Sequence, residues 1–79
     1  MNLWEYLDRR VSVTDIRGNL FEGVVYMYTP ANENEEDNGK VVASIIIDGD
    51  ESVLWEIYED EVAEIKVIEP ITSAAHLSL

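Results

Sequence analysis

Cysteine is absent from this 79-residue chain, and histidine, basic side chains and long apolar runs are scarce. Without cysteine, neither a disulfide framework nor a thiolate metal site can form. Small secreted domains often depend on disulfides, so we expect a reducing, cytoplasmic location. No run approaches the roughly 18 apolar residues of a membrane span, and the N-terminus lacks the basic and apolar regions of a signal peptide. We therefore expect no membrane partner.

Residue patterns that serve catalysis are also sparse. His76 is the single histidine, and no serine or cysteine accompanies it in a pattern typical of nucleophilic catalysis. The chain has no glycine-rich loop of the phosphate-binding kind. We therefore predict that the protein is not an enzyme, and we expect no cofactor and no small-molecule substrate.

One stretch resembles the start of a calcium-binding loop. Oxygen-bearing side chains alternate there and a glycine follows them, at Asn34, Glu36, Asn38 and Gly39. However, Ile45 stands where such a loop needs a bidentate glutamate. We therefore predict a solvated loop without a metal site, and weak calcium binding at millimolar metal is the alternative.

Charge is strongly unbalanced in this sequence. Seventeen acidic and five basic residues give a formal net charge of −12. Nucleic-acid binding draws most of its affinity from Lys and Arg side chains that neutralise phosphates, and a field of this sign repels a polyanion. We therefore expect no nucleic-acid partner. The excess of acid predicts a soluble protein, and the alternatives are a basic partner or mimicry of nucleic acid.

The first residues predict a short helix that docks on the rest of the chain. Asn2 and Glu5 have the spacing of a capping box. Leu3, Trp4 and Leu7 lie at helical spacing on one stripe. A helix of about two turns is too short to be stable alone. We therefore expect Trp4 and Leu7 to cover the open end of a barrel.

Alternation of apolar and polar residues in some segments, and residues that favour strands in others, then predict five strands. They are RVSVTD (10–15), LFEGVVYMYT (20–29), KVVASIIID (40–48), VLWEIYE (53–59) and AEIKVIE (63–69). Gly23, in the middle of the second strand, indicates a sharp bend or a close backbone approach. Residues 30–39 have no apolar pattern and are predicted to be an exposed loop. The result is a mainly β domain whose five antiparallel strands can close into a small barrel.

The second strand carries a motif of two glycines and three apolar residues. The pattern glycine-x-x-Φ-x-glycine-x-Φ-x-x-Φ is filled by Gly18, Phe21, Gly23, Val25 and Tyr28. With one helix and five strands, the chain resembles the Sm-like (LSM) family of SH3-type barrels, and also the short LSM-type proteins of unassigned role from Firmicutes and their phages. The resemblance implies a five-stranded antiparallel Sm-like barrel over residues 1–69, followed by a C-terminal tail at 70–79.

The positions that bind RNA in this family hold other residues here. Thr29 stands where RNA-binding members have an aspartate, and the acidic segment PANENEEDNG replaces the rest of that motif. Between strands four and five the family has an arginine–glycine pair. This chain has YEDEV there, which places Glu59, Asp60 and Glu61 where a phosphate would approach. The resemblance therefore implies a retained fold without the RNA pocket.

The sequence thus predicts a non-enzymatic binding or assembly module. Sm-like barrels assemble when strand four of one subunit pairs with strand five of the next, and both strands here are apolar enough for such pairing. We expect a protein partner or a homo-oligomer, with candidate interface residues Trp4, Trp55, Ile57, Tyr58, Ile65 and Val67. The alternatives are an acidic mimic or inhibitor of a nucleic-acid-binding protein, and a divergent RNA-binding LSM protein.

Overall fold

The computed structural model describes residues 1–68, which form five strands and three short helices. In chain order these are the 3-10 helix η1 (Leu3–Tyr6), β1 (Arg10–Asp15), β2 (Leu20–Thr29), the α-helix α1 (Ala31–Asn38), β3 (Ser44–Asp48), β4 (Leu54–Tyr58), the 3-10 helix η2 (Glu59–Glu61) and β5 (Val62–Val67). The mainly β class and the five strands are therefore confirmed. The predicted tail at 70–79, which includes His76, lies outside the described residues.

All five strands belong to one antiparallel sheet with the order β4-β3-β2-β1-β5. Each strand pairs with its neighbours in a register that keeps apolar residues on one face. For example, Val13 of β1 lies between Phe21 of β2 and Ile65 of β5. Within residues 1–68, β4 and β5 do not pair with each other. The sheet is therefore open, with β4 and β5 as its two edges, and the predicted closure into a barrel is not present.

The inner face of the sheet carries the hydrophobic core. Its fully or nearly buried members are Leu3, Val11, Val13, Val25, Ile45, Ile47 and Ile57. Phe21, Tyr28, Trp55 and Ile65 are partly buried and pack against this cluster. Burial of each aliphatic side chain in the core stabilises the folded state by about 1.5–3 kcal/mol. The alternation in β1 and β5 therefore predicted the inner face correctly at Val11, Val13 and Ile65.

Gly23 marks a close approach between two backbones. A Cβ atom at this position would collide with the main-chain oxygen of Asp48 and lie 2.8 Å from Cγ2 of Ile47. Of the two alternatives for this glycine, a sharp bend or a close backbone approach, the structure shows the close approach. The irregularity in β2 lies further along, where the register with β3 shifts between Val25 and Met27.

The N-terminal helix is shorter than predicted and presents a different face. It is a single 3-10 turn in which Leu3 is 1% exposed, while Trp4 and Leu7 are 55% and 42% exposed. A 3-10 helix repeats every three residues, so Leu3 and Tyr6 share the face that packs against the core. The prediction that Trp4 and Leu7 cover the barrel is therefore wrong, because it assumed the α-helical repeat.

Within residues 30–39, Ala31–Asn38 form a helix, so the prediction of a loop is wrong, although most of these residues are exposed as predicted. Helix α1 ends at Gly39, whose φ of +80° places it in the left-handed region and whose N–H donates to the carbonyl oxygen of Glu35. Asn34 is the one buried residue of this helix. Because α1 has no apolar stripe, its sequence shows no helical hydrophobic period.

Replacement of Gly23 by alanine tests the close approach to β3. We expect Gly23→Ala to cost about 1–3 kcal/mol, because the added methyl group must displace the backbone at Asp48. For a chain of this size, this corresponds to a fall of roughly 4–20 °C in Tm. Glu22→Ala, at the exposed neighbouring position, is the control and should change Tm little. An unchanged Tm for Gly23→Ala would contradict the close approach.

Candidate functional site

The structure places five of the six predicted interface residues on the two edge strands. Trp55, Ile57 and Tyr58 lie on β4, and Ile65 and Val67 lie on β5. Ile57 is 3% exposed and belongs to the core, whereas Val67 is 40% exposed. The sixth residue, Trp4, belongs to η1 and is 55% exposed.

A cleft of about 350 Å³ lies between β4 and the turn that joins β1 to β2. Residues 54–57 of β4 form one side of the cleft. The turn between β1 and β2, together with Glu61, lines the other side. Phe21 and Trp55 also line the cleft, with ring centroids 5.3 Å apart in an edge-to-face arrangement. This geometry is favourable for aromatic pairs. The cleft therefore combines an aromatic pair with four consecutive residues of an edge strand.

Asp15 holds the turn that forms the far side of this cleft. One carboxylate oxygen accepts the backbone N–H groups of Arg17 (2.9 Å) and Asn19 (2.8 Å), and the other accepts the Asn19 amide (3.1 Å). Burial raises the pKa of the Asp15 carboxyl, but these hydrogen bonds and the Arg17 charge outweigh burial, so the pKa lies below its usual value. The carboxylate therefore stabilises the fold at neutral pH, and this stabilisation is lost as the pH falls through the lowered pKa.

A chain of polar contacts joins α1 to the outer face of β4. The Asn34 amide donates to the carbonyl oxygen of Val42 (2.8 Å) and to Oγ of Ser44 (3.1 Å). The Ser44 hydroxyl donates in turn to a carboxylate oxygen of Glu56 (3.1 Å). The Asn38 amide donates to the hydroxyl of Tyr58 (3.3 Å). Helix α1 is therefore anchored to β3 and β4 through hydrogen bonds.

Sequence reasoning missed this anchor, although the sequence contained a signal for it. Asn34 and Asn38 are four residues apart, which places them on one face of a helix, and Gly39 follows as a typical helix C-terminus. Both asparagines also fit the partial calcium-loop pattern of this segment, for which the sequence predicts a solvated loop without a metal site. Their amides are engaged as described above, and residues 1–68 contain no group of three or more acidic or histidine side chains placed to hold a metal.

Lys40 connects the end of α1 to η2. Its ammonium group lies 3.5 Å from a carboxylate oxygen of Asp60 and 4.5 Å from the ring centroid of Tyr58. A cation over an aromatic face adds a modest attraction, of about 0.5–1 kcal/mol at an exposed site. The Tyr58 side chain therefore contacts both Asn38 and Lys40, and these contacts fix the C-terminal end of β4 in place.

Charge is distributed unevenly over the two edges of the sheet. Eleven of the seventeen acidic residues lie between residues 30 and 61, where Lys40 is the one basic residue. This segment contains α1, β3, β4 and η2. The remaining basic residues are Arg9, Arg10, Arg17 and Lys66. Two of them, Arg10 and Lys66, belong to the neighbouring strands β1 and β5, so the edge at β5 is the less acidic one.

Comparisons with known proteins give no match: no family model, no curated protein and no solved structure matches this chain. The Sm-like resemblance therefore rests on the strand-two motif and the order of elements, and it stays a prediction. Over the described part of the chain, no helix is long and apolar enough to cross a membrane.

Replacement of Asn34 tests the polar anchor of α1. We expect Asn34→Ala to destabilise the protein by about 1–3 kcal/mol, because it removes the hydrogen bonds to the carbonyl oxygen of Val42 and to Oγ of the fully buried Ser44. Asn32→Ala, at an exposed position of the same helix, is the matched control. Thermal unfolding followed by circular dichroism measures both. Equal Tm values for the two variants would show that α1 does not depend on this anchor.

Proposed function

We propose that this chain is a non-enzymatic assembly module in which the free edge β4 of one copy pairs with the free edge β5 of the next. The observation that carries the proposal is the pair of open edges. Both strands end the sheet, and exposed apolar side chains lie on or next to each of them. These are Val53 and Leu54 at β4, and Val67 and Ile68 at β5.

We propose that the module has the Sm-like, SH3-type arrangement of strands, with a sheet that is open in the single copy. The motif residues support it, because Gly18 adopts a φ of +88° in the turn before β2, and Phe21, Val25 and Tyr28 pack in or against the core. The positions of the edges support it as well. Pairing of strands four and five between subunits requires that these strands lie at opposite ends of the sheet, and they do.

Edge-to-edge pairing has a clear energetic basis. Unpaired N–H and C=O groups of an edge strand are a template for another strand, and each hydrogen bond formed contributes about 0.5–1.5 kcal/mol net. Burial of apolar side chains adds about 25 cal/mol per Å². Each copy carries a formal charge of −12, so copies repel one another at long range. The attraction must therefore come from contacts made at the edges themselves.

The charge distribution favours a second candidate function. Helix α1 and η2 present carboxylates on the part of the chain that adjoins β4, and this acidic region suits a basic protein partner. An acidic mimic or inhibitor of a nucleic-acid-binding protein would use such a surface. A divergent RNA-binding function has the least support, since Glu59, Asp60 and Glu61 form η2 and repel phosphate.

The oligomeric state of edge variants tests the proposed assembly. We expect light scattering to give a mass above that of the monomer, rising with protein concentration. Leu54→Asp and Val67→Asp should each shift the protein toward the monomer, because a carboxylate replaces an apolar contact at one edge. Leu20→Asp is the matched control, since Leu20 is an exposed leucine on the interior strand β2.

Two outcomes would contradict the proposal. A wild-type mass equal to that of the monomer at every concentration would exclude self-assembly and favour the basic-partner function. Dissociation by Leu20→Asp to the same extent as by the edge variants would show that added charge, and not the edge, is responsible. The Tm of each variant separates loss of assembly from loss of folding.

A further inference from the structure

The central residues of the two edge strands have complementary chemistry. β4 contains Trp55-Glu56-Ile57, and β5 contains Ile65-Lys66-Val67. In both triplets the first and third side chains are apolar and the central side chain is charged. The central charge is negative on β4 and positive on β5. Successive side chains of a strand point to opposite faces. The apolar members therefore share one face and the charged members share the other.

The pairing within the chain shows that these faces correspond. Ile57 belongs to the core and Trp55 packs against it. On the other edge, Ile65 lies opposite Val13 and Val67 lies opposite Val11, so both are on the same inner face of the sheet. Glu56 and Lys66 are therefore both on the outer face. If the sheet continued from β4 of one copy to β5 of the next, Glu56 and Lys66 would lie on the same face. The apolar side chains of both strands would lie together on the other face.

The surroundings of the two charged side chains suit such a contact. Glu56 accepts a hydrogen bond from the fully buried Ser44 hydroxyl, which itself accepts one from Asn34, so one carboxylate oxygen is held in position. Lys66 lies 3.9 Å from Glu64, and both side chains are more than half exposed. An ion pair this exposed contributes little, so Lys66 can exchange that partner for another at little cost.

Resting on the proposed edge-to-edge assembly, we infer that Glu56 of one copy pairs with Lys66 of the next and that this pair sets the register of the interface. Because both residues are central in their triplets, the match holds for either strand direction. A slip of one residue would turn the apolar side chains to the wrong face. A slip of two residues would place Glu56 opposite either Glu64 or Ile68, and like charges directly opposite destabilise a sheet.

The wider charge distribution favours a second copy of this chain as the occupant of the β4 edge. Lys66 and Arg10 make the β5 edge the least acidic part of the described sheet, and β4 lies in the most acidic part. Opposite local charge orients two surfaces and suppresses other arrangements. Pairing β5 with β4 joins complementary regions, whereas pairing β4 with β4 would bring two acidic regions together.

Reciprocal charge exchange tests this register directly. We expect Glu56→Lys and Lys66→Glu each to weaken assembly by about tenfold or more, because each places like charges opposite one another at every interface. The double variant, Glu56→Lys with Lys66→Glu, should assemble again. An equimolar mixture of the two single variants should also assemble. One variant then has lysine at both positions and the other has glutamate at both, so opposite charges meet wherever the two variants pair.

Light scattering gives the mass of each sample, and thermal unfolding confirms that each variant is folded. Glu22→Lys is the matched control, with the same charge change on an exposed side chain of the interior strand β2. Assembly of both single variants as strongly as the wild type would overturn the register while leaving the proposed assembly standing. Folded single variants whose mixture stays monomeric would also overturn it. A monomeric wild type would overturn the assembly and the register together.

Discussion

The requirement that backbone N–H and C=O groups be paired governs this structure. The five strands form backbone hydrogen bonds with one another in the order β4-β3-β2-β1-β5, and the inner face of the sheet carries the buried core. No further strand among residues 1–68 covers the outer edge of β4 or of β5. Edge strands of soluble proteins are templates for other strands unless something protects them. The two open edges are therefore the feature from which the proposed function follows.

Polar contacts hold the β4 edge in a defined position. Helix α1 offers no apolar stripe, and its buried residue is an asparagine. The line from Asn34 through Ser44 to Glu56 fixes a charged side chain on the edge strand, while Lys40 and Asn38 hold Tyr58. The Asn34–Ser44 hydrogen bond is buried, and a buried hydrogen bond depends on geometry more than an apolar contact does. These polar contacts give β4 a fixed outer face against which a partner strand can be aligned.

Much of the fold, and less of the candidate site, could be predicted from the sequence. Val11 and Val13, and likewise Ile65, alternate with polar residues, and this period of two determined the strands and the inner face. The helix α1 escaped prediction because its anchor is polar. The exposed position of Trp4 escaped because η1 repeats every three residues. The open sheet could not be anticipated either, because strand patterns do not reveal whether the first and last edges meet.

Hydrogen exchange of the edge-strand amides, followed against protein concentration, tests the central claim most directly. The account predicts that amides in Leu54–Tyr58 and in Val62–Val67 become slower to exchange together as concentration rises, because both edges acquire partners in the same contact. Amides of β1 and β3, strands that already pair with a neighbour on each side, should change little. Exchange at β4 and β5 that stays the same across concentrations at which the mass increases would show that the copies meet elsewhere.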